Sequence, residues 1–344
     1  MVSAMTQRNA DDKTILVVGG AGYIGSHMVK CLQRAGYTPV VADDLSNGRR
    51  EAVRDARLHV GDIGDAAFVD ALLRDLAPAA VMHFASFIQV GESMADPGRY
   101  YRNNVGATQV VLDGMRTHGI TRFIFSSTAA IFGDPAYVPI DEAHPKQPIN
   151  PYGRSKWMVE QMLEDYDRAY GLKSVCLRYF NAAGADADGE LGECHEPETH
   201  LIPLLLQVAS GRRQHITVYG DDYATADGTC VRDYVHVEDL CSAHLLALEQ
   251  LLGGGESGRY NLGNGNGFSV REVIAAVRRV TGRDIPVLQG ERRAGDPPTL
   301  VADANRARAL LRWTPRYPEL DTIVAHAWVW EQKHASSAYA DRRR

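Results

Sequence analysis

The chain has 344 residues, 45% of them hydrophobic, a formal net charge of −6 and an isoelectric point near 6.1. That length admits one large domain or two sharing an interface. The acidic balance excludes a nucleic-acid or anionic-membrane partner, which would ask for a basic face. The five cysteines (Cys31, Cys176, Cys194, Cys230, Cys241) are odd in number, widely spaced and without a C-x-x-C. This speaks against a disulfide framework or a cysteine zinc site and for reduced thiols in the cytoplasm.

Met1 to Lys13 is polar with no apolar centre, so residues 1–12 read as a flexible tail and not a leader. No apolar run approaches the roughly 20 residues that span a bilayer. Thr14 to Val18 is a short β-branched run that suits a buried parallel strand. It enters Gly19-Gly20-Ala21-Gly22-Tyr23-Ile24-Gly25, followed by a helical pattern through Met28, Cys31 and Leu32. Further strands are expected at Pro39–Ala42, Ala80–Phe84, Phe123–Phe125 and Val175–Phe180, with helical stretches between them. That alternation predicts an α/β chain with a doubly wound parallel sheet of Rossmann type. The last of these strands reads as the end of the main run. Ala182–Thr199, rich in Gly, Asp and Glu, reads as a long functional loop.

The expected organisation is a dinucleotide-binding domain over 13–180, to which 232–260 returns. A smaller mixed α/β domain over 181–231 and 261–335 closes over the carboxyl ends of the strands, and 336–344 forms a tail.

Gly19, Gly22 and Gly25 are spaced G-x-x-G-x-x-G at a strand-to-helix turn. A Cβ there would hold a pyrophosphate away from backbone N–H groups and the helix N-terminus. Asp43, at the end of the second strand, stands where a ribose-binding carboxylate belongs and would repel a 2′-phosphate, which favours NAD over NADP. Arg49 and Arg50 are the residues that could receive such a phosphate instead.

Tyr152 and Lys156 form Y-x-x-x-K on one helix face, with Pro151 at its start. An ammonium near the phenol would favour the phenolate, an effect of roughly 4 kcal/mol for a lowering of about three pH units. Phe125-Ser126-Ser127-Thr128 ends a strand in hydroxyls that suit a substrate-facing donor.

Together these segments resemble the extended short-chain dehydrogenase/reductase family, and within it the UDP-glucose 4-epimerases, from Thr14 to about Trp330. The resemblance rests on GGAGYIGSH (19–27), HFA (83–85), VGES (90–93), NNV (103–105), FSSTAAIFGDP (125–135), NPYGRSK (150–156) and LRYFNAAGA (177–185). It continues in HLIPLL (200–205), VRDYVHVEDL (231–240), YNLGNG (260–265) and RRAGDPP (292–298).

The resemblance implies that Tyr152, Lys156 and Thr128 are catalytic: Tyr152 takes the proton of a sugar 4-hydroxyl and Thr128 assists. It implies that NAD lies against Gly19, Gly22, Tyr23, Ile24, Gly25, Asp43, Asp62, Ile63, Phe84, Asn103, Lys156 and Tyr179. A UDP-sugar would meet Thr128, Tyr152, Asn181, His200, Leu201, Tyr219, Arg232, Arg293, Asp296 and Leu300, with the arginine forks on its diphosphate. The implied reaction passes hydride from C4 to tightly held NAD and back to the other face of a 4-keto sugar. It further implies a homodimer through the helices carrying Tyr101, Val105, Thr108, Val111, Leu112 and Met158, Met162, Leu163, Tyr166. His200 stands for an asparagine of some relatives, and Leu300 at the position that gates the C2 substituent.

A 4,6-dehydratase would need an acid pair after Thr128, where Ala129 and Ala130 stand. UDP-N-acetylglucosamine, UDP-xylose and UDP-glucuronate are alternative substrates for the same machinery. A non-catalytic NAD-binding regulator would be expected to have lost the Tyr/Lys pair. No metal is expected: His236, Glu238, Asp239 and His244 lack H-E-x-x-H spacing and suit a helix start with acidic first-turn residues.

Overall fold

The structure, a computed structural model, describes residues 13–293 and 296–341. The tail expected over 1–12, the last residues of the one expected over 336–344, and Ala294 and Gly295 of the RRAGDPP segment lie outside them.

Strands β1 (Thr14–Val18), β2 (Thr38–Asp43), β3 (Arg57–Val60), β4 (Ala80–His83), β5 (Arg122–Thr128) and β6 (Lys173–Tyr179) share one sheet. Four short strands follow: β7 (Asn181–Ala183), β8 (Ile216–Tyr219), β9 (Val231–Arg232) and β10 (Tyr234–His236). Next come β11 (Gly258–Leu262), β12 (Phe268–Ser269), β13 (Val287–Gly290) and β14 (Thr299–Leu300). The main sheet has seven strands in the order β11-β6-β5-β4-β1-β2-β3. Every neighbouring pair in it is parallel. Because β11 pairs with β6, Val175–Phe180 does not close the sheet as the sequence suggested.

The helices are α1 (Tyr23–Arg34), α2 (Ala66–Leu76), α3 (Val90–Ala95), α4 (Pro97–Tyr100), α5 (Thr108–Thr117) and α6 (Pro151–Tyr170). They continue with α7 (Leu201–Ala209), α8 (Val237–Leu252), α9 (Val270–Thr281) and α10 (Leu320–Asp341). A π-helical stretch, Tyr101–Ala107, joins α4 to α5.

The apolar strands are buried on both faces, as parallel strands between two helix layers must be. On one face α1 and α8 bring Met28, Leu32, Leu240 and Leu248 against Ile15, Val17 and Met82, with Trp313 completing the layer. On the other, α2, α5 and α6 bring Leu73, Leu112 and Leu163 against Leu16, Val81 and Phe123. A separate core forms where α7, α9 and α10 pack Leu205, Val277 and Val324 together.

Three local signals build the elements around the site. Asn150 accepts from Gly153 N at 2.8 Å and Pro151 starts α6, so the helix begins one residue before Tyr152. Gly171, at φ +68°, ends it in the left-handed conformation glycine favours. Ser269 and Glu272 form a capping box that starts α9.

Candidate active site

The carboxyl ends of β1, β4, β5 and β6 are neighbours in the sheet, with Val18 in register with His83 and Thr128 with Tyr179. The glycine turn, Phe84, Thr128 and Tyr179 therefore lie along one edge, as the strand order predicts for a ligand crevice.

The three glycines of the turn have different reasons to be glycine. A Cβ on Gly25 would stand 2.1 Å from Gly19 O, and one on Gly19 (φ +79°) 2.4 Å from Ala85 N, so the fold itself forbids both. A Cβ on Gly22 would meet only Gly19 O, at 3.5 Å, an ordinary contact. Protein packing leaves Gly22 free to be another residue, so the fold alone does not require glycine there. Gly22 is also the N-cap of α1, which has neither a side-chain cap nor an acidic residue in its first turn. Free N–H groups at a helix start with no competing carboxylate fit a pyrophosphate.

Asp43 ends β2 with its carboxylate buried: Oδ2 accepts from Ala21 N and Oδ1 from Leu45 N, both at 2.9 Å. Burial raises its pKa while the two backbone donors oppose the rise. Each oxygen retains lone pairs for ribose hydroxyls. Arg49, one of the two arginines that could receive a 2′-phosphate, donates instead to Cys194 Sγ at 3.0 Å. The donor set thus fits NAD.

Asp62 is exposed and accepts from Gly64 N at 2.7 Å, while Ile63 beside it is buried. Tyr23 donates to Gly184 O at 2.7 Å and burial raises its phenol pKa; Ile24 packs into the core under α1. Asn103 donates to Asn104 Oδ1 at 2.9 Å. Tyr179 and Ser126 share a short hydrogen bond between their hydroxyls.

At the chemical centre, the Thr128 hydroxyl faces the Tyr152 phenol. That hydroxyl also accepts from Ala130 N at 3.1 Å. The approach depends on Gly153, whose Cβ would lie 2.4 Å from Ala130 O. Without a side chain there, the first turn of α6 sits against the end of β5 and brings Tyr152 to Thr128.

Lys156 differs from expectation. Its ammonium donates to Ser126 O at 2.9 Å and lies 4.9 Å from the centre of the Phe125 ring. Burial lowers its pKa to about 7. Burial also raises the Tyr152 pKa, a rise the neighbouring Thr128 hydroxyl opposes. The protein's own groups therefore hold the phenol above its ordinary value, where the Y-x-x-x-K spacing predicted the reverse. Sharing a helix face puts the two side chains on one side, but the carbonyl of β5 captures the ammonium.

Sequence reasoning passed over a buried ion pair behind this centre. Arg178 on β6 donates to Glu160 on α6 through Nη2 at 2.6 Å and Nε at 2.9 Å, with both side chains at most 1% exposed. Ser127 adds a bond to Glu160 at 2.6 Å. The pair fastens α6 to β5 and β6, the elements that carry Tyr152, Lys156 and Thr128. A charged residue inside the apolar run Val175–Phe180 was the available signal.

The residues expected to meet the sugar nucleotide lie in smaller elements. Arg232 on β9 and Leu300 on β14 are in register, and Asp233 N donates to Leu300 O at 3.1 Å. Leu300 packs with Phe180 against Ala129, Ile131, Phe132 and Ile140, the cluster directly after Thr128. Arg232 forms a short ion pair with Asp296, and Arg293 stacks over the Tyr219 ring at 4.1 Å. Asn181 opens β7, hydrogen-bonding through its N–H to Asp233 O at 3.0 Å. His200 precedes α7 and Leu201 begins it, but the His200 ring turns to Glu193. That carboxylate raises the His200 pKa to about 9.

The family model for the NAD-dependent epimerase/dehydratase family matches residues 15–263. A UDP-glucose 4-epimerase of Rhizobium leguminosarum bv. trifolii is 53% identical over 321 residues, 93% of this chain and 98% of the relative. The crystal structure of the Brucella ovis UDP-glucose 4-epimerase in complex with NAD superposes with a TM-score of 0.90 at 53% identity, covering 92% of this chain and 97% of that one. The Bifidobacterium longum enzyme in complex with NAD+ and UDP gives 0.88 at 37% identity over 93% and 98%.

Proposed function

The chain belongs to the NAD-dependent epimerase/dehydratase family, and from that premise we propose how its own residues carry the family's reaction. The activity is the reversible C4 epimerisation of a UDP-hexose, between UDP-galactose and UDP-glucose, with NAD. Bound NAD supplies the acceptor and donor of hydride at C4 and is restored within each cycle.

Gly22 and the bare N-terminus of α1 receive the pyrophosphate, and Asp43 the ribose hydroxyls. Tyr152 removes the proton of the 4-hydroxyl and later returns it. Thr128 holds the phenol oxygen in place. Lys156, fixed on Ser126 O, supplies the neighbouring donor. Arg232 and Arg293 bind the diphosphate, for which Arg232 exchanges or shares Asp296. The Thr128 hydroxyl facing the Tyr152 phenol, brought there by the close approach of Gly153 to Ala130, is the observation that carries the reading. Ala129 and Ala130, next along the chain, have no proton to give, so the 4-keto sugar is returned and not dehydrated.

The test is turnover of UDP-galactose without added NAD, with UDP-glucose read by a coupled dehydrogenase, beside Tyr152→Phe. Loss of turnover in the variant supports the assignment. Inactivity of both, even with NAD added, would redirect it to N-acetylated, pentose or uronate UDP-sugars.

We also propose a homodimer through α5 and α6 in the cytoplasm. Val111, Leu112 and Leu163 are used by the chain's own core, but Met158 on the outer side of α6 is 44% exposed. No helix among the described residues is long and apolar enough to cross a membrane. Light scattering on the purified chain reads the mass: a monomer would remove the dimer.

A further inference from the structure

We propose that Glu193, His195, Glu198 and His200 form a site for one divalent cation of the zinc class. One ligand atom from each of the four lies within 4.8 Å of the others. His195 Nδ1 stands 3.0 Å from Glu193 Oε1, and His200 Nδ1 makes a still shorter contact with the same oxygen. Tetrahedral zinc, with bonds to nitrogen and oxygen near 2.0–2.2 Å, holds its ligand atoms about 3.3 Å apart. The observed separations run from the short His200–Glu193 contact to at most 4.8 Å, so they bracket that spacing and the widest pair must draw in by about 1.5 Å.

The charge arrangement points the same way. The Glu193 and Glu198 side chains are 4% and 5% exposed, yet among the described residues neither pairs with a lysine or arginine. Two buried carboxylates facing each other repel, a repulsion the two histidines beside Glu193 offset in part and a divalent ion between all four would remove. The second acidic group of this segment, Asp186, Asp188 and Glu190, lacks that need. Lys30, Arg34 and Arg54 already neutralise it. Two imidazoles with two carboxylates select a borderline ion over magnesium or calcium, which prefer oxygen alone.

The spacing E-x-H-x-x-E-x-H falls within a loop, where no helical H-E-x-x-H rule would find it. The ion would tie together the segment leading into α7. That segment also touches the cofactor side: Cys194 receives Arg49, and the His195 ring meets the Tyr23 ring edge at 6.4 Å. Trp330 Nε1 donates to Glu193 O at 3.0 Å and holds the loop from α10. In this arrangement His200 is a metal ligand and not a contact of the substrate diphosphate.

The test uses the full chain with its nucleotide. Zinc per chain is counted by elemental analysis after chelation, refilling with Zn2+ and dialysis. Co2+ is added in parallel for its tetrahedral absorption. The expected result is one zinc per chain, a tetrahedral cobalt spectrum, and no displacement by excess Mg2+. Glu198→Gln, which keeps the shape of the side chain, and His195→Ala should each weaken zinc binding at least tenfold. Folding is checked by melting temperature and bound nucleotide. A folded wild-type chain that retains no stoichiometric zinc overturns the proposal without any variant. So does unchanged retention in the folded Glu198→Gln protein.

Discussion

The ammonium of Lys156 is held by the backbone carbonyl of Ser126, 2.9 Å away, and not by the phenol four residues earlier. An amine in that position is costly. Burial takes its pKa from 10.5 to about 7, so between those values the unfolded chain holds a proton that the folded chain does not. Where the unfolded state binds more protons, stability rises with pH. The penalty is therefore complete below about pH 7 and fades towards about pH 10. Lys156→Met should abolish epimerisation yet melt higher than the wild type at about pH 7, with the difference shrinking near pH 9.5. Both proteins are stripped of nucleotide for the comparison. A methionine variant that melts lower at neutral pH would contradict it.

Glu160 and Arg178 present the opposite case, a buried pair with good geometry. Removing one partner strands the other charge, a loss of about 3–5 kcal/mol. Glu160→Ala or Arg178→Met should each cost that much in urea unfolding. The double change Glu160→Leu with Arg178→Met should cost markedly less than the sum. Additive losses would show that the pair fixes nothing between α6 and β6.

Legibility followed the physics of each element. β1, β2, β4, β5 and β6 announce themselves as apolar β-branched runs because both faces are buried. β3 (Arg-Leu-His-Val) does not, since as the edge strand it leaves Arg57 and Val60 exposed. β7 overlaps the start of the stretch Ala182–Thr199 expected to be a loop: three residues cannot show a period, and only pairing with β10 makes them a strand. At the site, residue types were readable and directions were not. Y-x-x-x-K places Tyr152 and Lys156 on one face, but only the fold shows that Ser126 O takes the ammonium. The importance of Glu160 and Gly153 depends on contacts with segments 18 and 23 residues away.

The glycine turn separates folding from binding. Gly22→Ala adds a methyl at ordinary contact distance, so the nucleotide-stripped chain should keep its melting temperature within about 2 °C. If Gly22 faces the pyrophosphate as proposed, its NAD should be lost on gel filtration, because the added methyl would stand in the way. Gly25→Ala puts a methyl 2.1 Å from Gly19 O and should lower the yield of folded protein before any question of binding arises. Equal NAD retention by Gly22→Ala and wild type would remove Gly22 from the cofactor site.

Leu300 offers a handle on substrate choice. It sits in register with Arg232, packed against the apolar cluster that follows Thr128. In the proposed site, a side chain between the strand carrying Arg232 and Thr128 is placed to meet the sugar ring. Leucine leaves more room there than an aromatic ring would. Leu300→Tyr should therefore lower kcat/KM for UDP-N-acetylglucosamine relative to UDP-glucose by about tenfold or more, the scale on which pocket size discriminates. Leu300→Ala should move the ratio the other way, at some cost in stability from the cavity beside Phe132 and Ile140. The ratio is the measure, since a purely structural role would depress both substrates together. A ratio unmoved by either change would place the C2 substituent elsewhere.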